Sequence, residues 1–564
     1  MPFETPNTPP ATPASETPGG FAPLGVPLFR DRWVASTISA LGTWMQDTAG
    51  AWFMTALTSS PLLIALMQTA ASLPVLLFGL LAGATADIFD RRKLLIFWQA
   101  WMGVSVALLA VLTFFGWVSP WTLLGLTFLL NIGSAMNNPA WQAIVPELVP
   151  RAMIPDAVAL NSASNNLARA LGPALGGLMV AAFQRVATGA GSVFLLNAIS
   201  YAAVIWVLVN WKRTALFKSA LPAERVAASI SSGWRYIRNA PDVQAPLLRA
   251  FVFTFFVSSI WSLLPLVALH ILHQGALGYG FLNGSLGLGA LLAATQLSPM
   301  RRLLTADRLV AYATVAVVAS LCVLAFVPNA GLVIASLVLA GFAWTSTMST
   351  FNTAVQLAVP PWVQARAMGS YLMCFQGGLA LGSILWGTIA THSSTEVALA
   401  VAAAALAASY PFTRRFHIFH GPVPDHTPYV FKHPAPQLAP LVAGADDDLD
   451  AVGPVRVSIH YRVSAANYPA FTRAIHALRD VRLRDGAIRW GIYRDTSDPE
   501  RLQETFIMES WLDYLRTREH MTAADQRIRS LVYALHQDGG ASPQATYQIY
   551  AREVDVPDLS PDDH

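Results

Sequence analysis

Apolar stretches about 20 residues long follow one another from about residue 28 to residue 415. A helix needs about 20 apolar residues to cross the roughly 30 Å hydrocarbon core of a bilayer. Twelve stretches are present, with cores at residues 33–57, 61–86, 94–117, 121–145, 157–184, 191–211, 245–270, 278–298, 307–327, 331–357, 367–391 and 395–413. The sequence therefore predicts an all-α polytopic membrane protein with twelve transmembrane helices.

Charged residues make up only 12% of the 564-residue chain, whereas about 25% is typical of soluble domains. This composition excludes an ordinary soluble enzyme and a disordered protein. The net charge of +3 gives no electrostatic footprint for nucleic acid. The sequence contains no Gly-x4-Gly-Lys-Ser/Thr phosphate loop, which argues against an ATP-driven pump. We expect the lipid bilayer, a small-molecule substrate and protons as partners, and no cofactor or metal.

Basic residues concentrate in the even-numbered connections between the predicted spans. They are Arg91, Arg92, Lys93, Arg151, Lys212, Arg213, Lys218, Arg225, Arg235, Arg238, Arg301, Arg302, Arg308 and Arg366. The odd-numbered connections hold little beyond Arg185. The positive-inside rule therefore predicts that both termini and the long central connection are cytoplasmic.

The two predicted halves of six spans repeat each other. Residues 138–146 match residues 352–360 at an offset of 214, and residues 171–177 match residues 381–387 at an offset of 210. A third pair of segments, at residues 79–92 and 289–302, has the second offset again. Two halves in the same orientation imply two parallel six-helix repeats with a central cavity between them.

Changes in composition divide the chain into seven segments. We predict a disordered N-terminal tail (1–27), an N-terminal six-helix bundle (28–211), a cytoplasmic central loop (212–244), a C-terminal six-helix bundle (245–415), a linker rich in Pro and His (416–453), a cytoplasmic α+β domain (454–553) and an acidic tail (554–564).

The predicted α+β domain begins with a clear strand. Apolar and polar residues alternate over residues 455–463, as in a half-buried strand. Helical spacing follows from Tyr468 to Leu478. Further strands are predicted near 487–494, 502–510 and 545–552, with one helical stretch at about 512–536. The order βαββαβ is typical of a small ferredoxin-like sheet.

Two ionisable residues lie deep within predicted spans. Asp47 on span one and Arg169 on span five are about 16 and 14 residues from the cytoplasmic ends, or roughly 20–25 Å deep. Ionisable groups at such depth are costly and usually functional. Two interpretations stay open. Either the residues form a structural ion pair, or Asp47 carries a coupling proton while Arg169 binds an anionic group.

Amide side chains accumulate on spans four and five and form a predicted polar cavity wall. The set is Asn131, Asn137, Asn138, Gln142, Asn161, Asn165 and Asn166, and Gln46 on span one is assigned to the same cavity. Aromatic residues that would complete the wall are Trp44, Trp141, Trp344 and Phe351. Such a lining suits a polyphenolic, peptidic or drug-like cargo. The alternative is that these amides hydrogen-bond between helices.

The connection between spans two and three has the sequence GATADIFDRRK at residues 83–93. It resembles the loop motif of the major facilitator superfamily, Gly-x3-Asp-Arg-x-Gly-Arg-Arg/Lys. The resemblance implies alternating access, in which Gly83, Asp87, Arg91 and Arg92 act as a conformational latch between the halves.

Span five contains the sequence RALGPALGG at residues 169–177. Its proline removes a helix hydrogen bond and its glycines allow close helix packing. The segment resembles the antiporter motif of the same superfamily, carried here by Gly172, Pro173, Gly176 and Gly177. The resemblance implies export, whereas the alternative is ordinary packing of small residues.

Residues 41–46, 139–149 and 161–169 resemble one branch of the superfamily, the bacterial transmembrane secretion effectors, which includes the enterobactin exporter of enteric bacteria. This resemblance implies a bacterial inner membrane and a siderophore- or drug-like cargo. The C-terminal domain resembles dimeric α/β-barrel domains related to monooxygenases, which implies possible self-association. Its residues His460, His476, Trp490 and His520 suggest oxygen chemistry, but no motif specifies it.

The sequence thus predicts a secondary active exporter, not an enzyme, that works by alternating access with proton antiport. A proton-coupled uptake symporter is the first alternative. A membrane-anchored sensor or monooxygenase-like enzyme is the second, but an anchor needs only one or two helices.

Overall fold

The computed structural model describes residues 21–144, 148–150, 153–211, 235–360, 362–418, 425–429, 431, 436, 452–537 and 543–550. Most of the predicted N-terminal tail, central loop and linker lies outside the described residues, as does the acidic tail at 554–564. The side chain of Asp87 is outside them too.

Twelve long helices are described before residue 415, and each corresponds to one predicted span, so the predicted fold class is confirmed. They are α1 (Pro27–Leu57), α2 (Pro61–Ile88), α3 (Arg91–Phe114), α4 (Pro120–Ala143), α5 (Ile154–Ala181), α6 (Val186–Asn210), α7 (Pro241–Leu266), α8 (Ala276–Leu303), α9 (Ala306–Phe326), α10 (Ala330–Ala358), α11 (Gln364–His392) and α12 (Thr395–Thr413). A short 3-10 turn (Ala22–Gly25) precedes α1, and a π-helical turn (Val267–Ile271) extends α7.

Nine of these described helices are long and apolar enough to cross a membrane by length and composition alone. The three others are α1, α4 and α5. These three helices carry Asp47, Arg169 and the predicted amide set. Their lower apolarity is therefore concentrated where the sequence predicts a polar cavity.

Helix starts follow from the turn residues between the spans. Proline occupies the first turn of α1, α2 and α4, where its missing N–H costs no hydrogen bond. Asp90 caps α3 by accepting a hydrogen bond from the Lys93 backbone N–H at 3.1 Å. Thr305, Asn329 and Ser394 cap α9, α10 and α12 in the same way.

The contacts inside the first half recur in the second. In the first half, α1 packs on α5 and α6, α3 on α4 and α6, and α2 on α4. In the second half, α7 packs on α11 and α12, α9 on α10 and α12, and α8 on α10. A hydrogen bond repeats as well: Gln142 Nε2 donates to Asn138 Oδ1 at 3.1 Å, and Gln356 Nε2 donates to Asn352 Oδ1 at 2.6 Å. The sequence repeat is therefore a structural repeat.

Two helix pairs make most of the contact between the halves, α2 with α11 and α5 with α8. Small residues bring the backbones together. A Cβ added at Gly177 on α5 would lie 2.8 Å from the Cα of Gly280 on α8, and one added at Gly387 on α11 would lie 3.1 Å from the Cα of Leu62 on α2. Larger side chains at these glycines would force the halves apart.

Residues 452–550 contain a four-stranded antiparallel sheet with the order β2-β3-β1-β4, formed by β1 (Val455–Arg462), β2 (Arg489–Arg494), β3 (Arg501–Met508) and β4 (Gln544–Ile549). Helix α13 (Tyr468–Arg484) joins β1 to β2. The order matches the predicted ferredoxin-like arrangement.

The predicted single helix at about 512–536 is wrong, because the structure has two helices, α14 (Trp511–His520) and α15 (Ala523–Ala534). Thr522 and Asp525 form a capping box at the start of α15. Such a box ends one helix and starts another, because the side chains satisfy the free backbone N–H groups of the new first turn.

Candidate functional site

A cavity of about 310 Å³ lies between the two halves. It is lined by α1, α2, α4 and α5 from the first half and by α7, α8, α10 and α11 from the second. Of the residues singled out in the sequence, the central cavity contains Trp44, Asp47, Asn131, Arg169, Pro173 and Trp344. The fold thus brings residues that are up to 300 positions apart in sequence to one site between the two six-helix bundles.

The Asp47 side chain is exposed to this cavity, although its neighbours Gln46 and Thr48 on α1 are buried. Asn283 of the second half donates from Nδ2 to Thr48 Oγ1 at 3.1 Å. Within the described part of the chain, no hydrogen bond or ion pair to the Asp47 carboxylate is recorded. Among the described residues, the carboxylate therefore faces the cavity without a hydrogen-bond or ion-pair partner.

Arg169 does not form an ion pair with Asp47 among the residues that the structure describes. Its guanidinium lies instead over the Trp44 ring, 5.3 Å from the ring centroid. The predicted alternative of a structural ion pair is therefore not realised in this conformation. Trp44 and Arg169 both line the central cavity and a second one in the first half.

The second cavity has a volume of about 760 Å³ and lies entirely within the first half, toward the helix ends that carry the basic connections. Its wall contains the predicted residues Trp44, Asn137, Asn138, Trp141, Gln142, Asn161, Asn165 and Arg169. It also contains residues that the sequence analysis missed, among them Arg32, Gln99 and Tyr201.

Three predicted lining residues lie elsewhere. Gln46 is buried and its Oε1 accepts a hydrogen bond from Asn197 Nδ2 at 2.6 Å, so it joins α1 to α6 rather than facing a cavity. Phe351 is fully buried near the end of α10 that is predicted to be cytoplasmic. The Arg249 guanidinium lies 5.9 Å from its ring centroid. Asn166 lines neither of the two cavities.

The sequence analysis does not identify Arg32, because the first predicted apolar core begins at residue 33. The helix begins at Pro27 instead, so Arg32 lies inside it and is only 2% exposed. The signal available in the sequence was a basic residue, Arg32, shortly after Pro27 at the boundary of the first predicted span.

The glycines of the antiporter motif contact both halves. A Cβ at Gly176 would lie 2.7 Å from the Met45 backbone oxygen on α1, and one at Gly177 would lie 2.5 Å from the Ala276 backbone oxygen on α8. Gly172 packs against Trp44 in the same manner. Helix α5 is thus wedged between α1 and α8 beside the central cavity, and Pro173 lines that cavity.

The predicted latch residues lie at the α2–α3 connection. Arg92 donates from Nε to the Leu208 backbone oxygen at 2.9 Å and from Nη2 to the Val209 oxygen at 2.5 Å. These carbonyls are at the end of α6, where basic side chains are favoured. In this conformation Arg92 therefore joins two helices of the same half. Gly83 has open space around it.

The C-terminal domain does not bring together the four residues that suggest oxygen chemistry. His460 is exposed on β1, whereas His476 and Trp490 lie near each other, with ring centroids 5.6 Å apart. His520 contacts the connection between α10 and α11: its ring stacks on Trp362, 3.8 Å between centroids. These positions give no shared oxygen-activating pocket among the described residues.

The His520–Trp362 stack belongs to a wider contact between the domain and the second half. Arg235, just before α7, donates to Glu509 Oε2 at 3.1 Å. Arg484 lies 5.4 Å from the ring centroid of Tyr236. This domain contact rests on the connection between α10 and α11 and on residues 235–236, which precede α7.

The contact is expected to weaken in acid. Burial, with Arg366 and Arg516 nearby, lowers the pKa of His520 from 6.5 to about 4. When the domain is separated from the second half (undocked), His520 has a pKa near 6.5 and binds a proton as the pH falls from 6.5 to 4. When the domain is in contact (docked), His520 stays neutral over this range. Docking is then strongest above pH 6.5 and weakens by up to about tenfold per pH unit as the pH falls toward 4.

Pulsed electron spin resonance distances between labels at Arg308 and Arg473 would measure this docking, in a background that lacks Cys322 and Cys374. The distance distribution should broaden between pH 7.5 and 5. His520→Phe keeps an aromatic ring but cannot titrate, and it should show no such change. A pH response that survives in His520→Phe would rule out His520 as its source.

The chain is similar to known proteins in sequence and in fold. The sequence profile of the transmembrane secretion effectors matches residues 18–554. The MFS-type transporter YfiS of Bacillus subtilis is 30% identical over 239 residues, which cover 41% of this chain and 55% of that protein. The multidrug efflux pump Tap of Mycolicibacterium fortuitum is 26% identical over 373 residues, 64% of this chain and 89% of that protein. The chain spans little more than half the length of the first curated relatives that it matches.

A solved structure of a variant of the nucleoside transporter NupG superposes with a TM-score of 0.58 at 12% identity. The superposition covers 69% of this chain and 99% of that one. At this identity the similarity shows the fold alone.

Proposed function

Because the chain belongs to the transmembrane secretion effector family of the major facilitator superfamily, we propose that it is a secondary active transporter that exports a small molecule by alternating access. The observation that carries the proposal is the central cavity between two repeated bundles. Transporters built from repeats bind their substrates near the bilayer midplane, at the interface of the repeats.

The hydrogen bonds between the halves support a cytoplasm-facing state. The Leu62 backbone N–H donates to Thr391 Oγ1 at 3.1 Å, and Thr69 Oγ1 donates to the Ala380 backbone oxygen at 3.0 Å. Both hydrogen bonds lie toward those ends of α2 and α11 that are farther from the basic connections. With both termini cytoplasmic, as the positive-inside rule predicts, these contacts close the cavity toward the outside.

Proton antiport is the coupling that we propose. Asp47 is the carboxylate of the central cavity, and it has no protein partner among the described residues. A carboxylate that is alternately open to the two sides of the membrane can take up a proton outside and release it inside. Intramembrane ionisable residues of this kind commonly form proton relays.

Export rather than uptake is favoured by the motif at Gly172, Pro173, Gly176 and Gly177, whose glycines hold α5 between α1 and α8. The cargo class that we propose is siderophore- or drug-like, because six amide and three aromatic side chains line the first-half cavity. A bacterial inner membrane is the proposed location.

The direction is tested by retention. A bacterial host that lacks its major efflux pumps is loaded with a panel of siderophores and drugs, with and without the gene. Cells that carry the gene should retain less of at least one compound, and a protonophore should remove the difference. Gly177→Leu, which would separate α5 from α8, is the inactive control. Protonophore-sensitive accumulation instead of loss would favour the uptake symporter.

For the C-terminal domain, we propose self-association. The sheet face opposite to α13 carries polar and basic side chains, including Arg456, His460 and Arg489. A pocket of about 470 Å³ opens at one end of this face and contains His460 and Tyr493. A ligand sensor is the alternative that this pocket supports.

A further inference from the structure

Arg32 is a buried cation whose hydrogen-bonding capacity is largely unused. The side chain is 2% exposed. Its guanidinium lies 4.2 Å from the centroid of the Trp141 ring, and Nη2 donates to the Trp141 backbone oxygen at 3.4 Å. Nε and Nη1 are buried and have no hydrogen-bond partner among the described residues. An arginine has five N–H donors, and leaving them unpaired away from water is costly.

The second half contains a buried arginine that is paired with a carboxylate. Arg249 on α7 is also 2% exposed, and it forms an ion pair with Asp307 in the first turn of α9. It also donates to the Phe416 backbone oxygen at 3.2 Å. The first turn of α3, the helix that corresponds to α9, contains no acidic residue. Among the described residues, Asp307 pairs with the buried arginine of the second half, whereas no carboxylate forms an ion pair with Arg32.

Arg32 is one of the residues that line the 760 Å³ cavity of the first half. Its described lining contains two arginines, Arg32 and Arg169, and no aspartate or glutamate. Both guanidiniums lie over tryptophan rings that also line the cavity, Trp141 and Trp44. The remaining polar lining consists of hydroxyl and amide groups. The cavity is thus a positively charged, aromatic chamber without a counter-ion from the described residues.

We propose that this chamber, which we call the anion chamber, binds a cargo through an anionic oxygen group, a carboxylate or a phosphate ester, that pairs with Arg32. Charge-assisted hydrogen bonds from arginine to such groups are strong and are frequently bidentate. The aromatic and amide wall accommodates the rest of the molecule. Gln99 Oε1 and Asn137 Oδ1 are buried and have no hydrogen-bond partner in the described part of the chain, so they would accept from its hydroxyl or N–H groups.

The proposal rests on the proposed transport function, since it names the chemical class of the cargo. It places the first binding event in the first half, with Arg169 at the boundary to the central cavity because this residue lines both. An anionic lipid headgroup has the same chemistry as such a cargo. The test must therefore separate the two sources.

Binding can be measured without transport. The full-length protein in phosphatidylcholine nanodiscs is titrated with 7-methoxycoumarin-3-carboxylate and with its neutral ethyl ester. Energy transfer from the tryptophans, including Trp44 and Trp141 in the wall, reports occupancy. We expect the carboxylate to bind at least about tenfold more tightly than the ester. Arg32→Gln should lower the affinity for the carboxylate to that for the ester and so remove the preference.

Two further variants keep the test decisive if Arg32→Gln does not fold. Arg32→Lys retains the charge and should retain most of the preference. Asn138→Asp leaves Arg32 in place, puts an acid on the same face of α4 as Trp141, and should abolish the preference. Arg185→Gln changes the net charge equally at an exposed position outside the cavity, so its preference should match that of the wild type.

Equal affinity of the wild type for both probes, no binding of either, or a preference that survives in Arg32→Gln or Asn138→Asp would overturn the anion chamber. Displacement of the carboxylate probe by phosphatidylglycerol in the disc would assign Arg32 to a lipid headgroup and overturn a cargo site. Failure of every export assay with the binding preference intact would refute export and leave the chamber standing. The two proposals therefore fail separately.

Discussion

Asp47→Asn is expected to abolish efflux against a gradient while cargo binding and counterflow exchange survive. Asparagine keeps the size and hydrogen bonding of the side chain but cannot carry a proton across the cavity. Because no ion pair joins Asp47 to Arg169 among the described residues, the substitution strands no buried partner, and we expect normal expression. Proteoliposomes with an imposed pH gradient measure the effect, and uphill transport should fall to the level of empty liposomes.

The matched control is Asp31→Asn on the same helix. Asp31 is about half exposed, and its described ion pair is with the neighbouring Arg30, so uphill transport should stay at the wild-type rate. Counterflow separates coupling from binding, since exchange of cargo for cargo requires no net proton movement. Gradient-driven efflux at the wild-type rate in Asp47→Asn would leave this residue without a role in coupling.

Glu504→Ala is expected to destabilise the C-terminal domain by about 3–5 kcal/mol. The Glu504 carboxylate is fully buried in the sheet, where it accepts from Tyr461 Oη at 2.9 Å, Arg482 Nε at 3.1 Å and Trp490 Nε1 at 3.0 Å. Removing it deprives the largely buried Arg482 charge and two neutral donors of this acceptor. Small domains are stable by only about 5–15 kcal/mol, so much of the folding free energy would be lost.

Hydrogen exchange on the full-length protein measures this change, because it reports β1 and β3 separately from the membrane helices. Protection of their amides should fall by about two to three and a half orders of magnitude. Glu500→Ala is the control: this carboxylate is 47% exposed and lies 3.9 Å from Arg462, so a change within about 0.5 kcal/mol is expected. Equal protection in the two variants would show that the buried cluster contributes little.

Glu504 illustrates a general limit of the pattern analysis. The alternation in residues 455–463 correctly predicted β1, because one face of that strand is buried and apolar. A similar alternation at β3 places Glu504 on the buried face. The three donors that make its burial tolerable come from α13, β1 and β2, and no local pattern indicates such a meeting.

The break at Met521 and Thr522 has a different cause. Amphipathic spacing continues across residues 512–536, so periodicity alone favours one helix. The structure instead starts a new helix at the capping box of Thr522 and Asp525, where Arg484 from α13 also donates to Asp525 Oδ1 at 2.6 Å. A tertiary contact therefore reinforces a local signal that periodicity had outweighed.

The sequence by itself determined the number of membrane helices, the duplication of the six-helix unit and the order of the strands. Helix length against bilayer thickness, basic residues in alternate connections and matched segments at offsets of 210 and 214 are all properties of the chain alone. They do not depend on how the helices are rotated.

Only the tertiary structure decided which polar residues face a cavity. Gln46 and Asp47 are neighbours on α1, yet one bonds to Asn197 and the other faces the central cavity. Adjacent helix residues point about 100° apart. In a membrane, both the lipid-facing and the buried side of a helix are apolar, so hydrophobicity does not fix that rotation. The rotation is fixed by packing between helices, for example of Gly176 on α5 against α1. The same packing sets the positions of Asp47, Arg169 and Arg32.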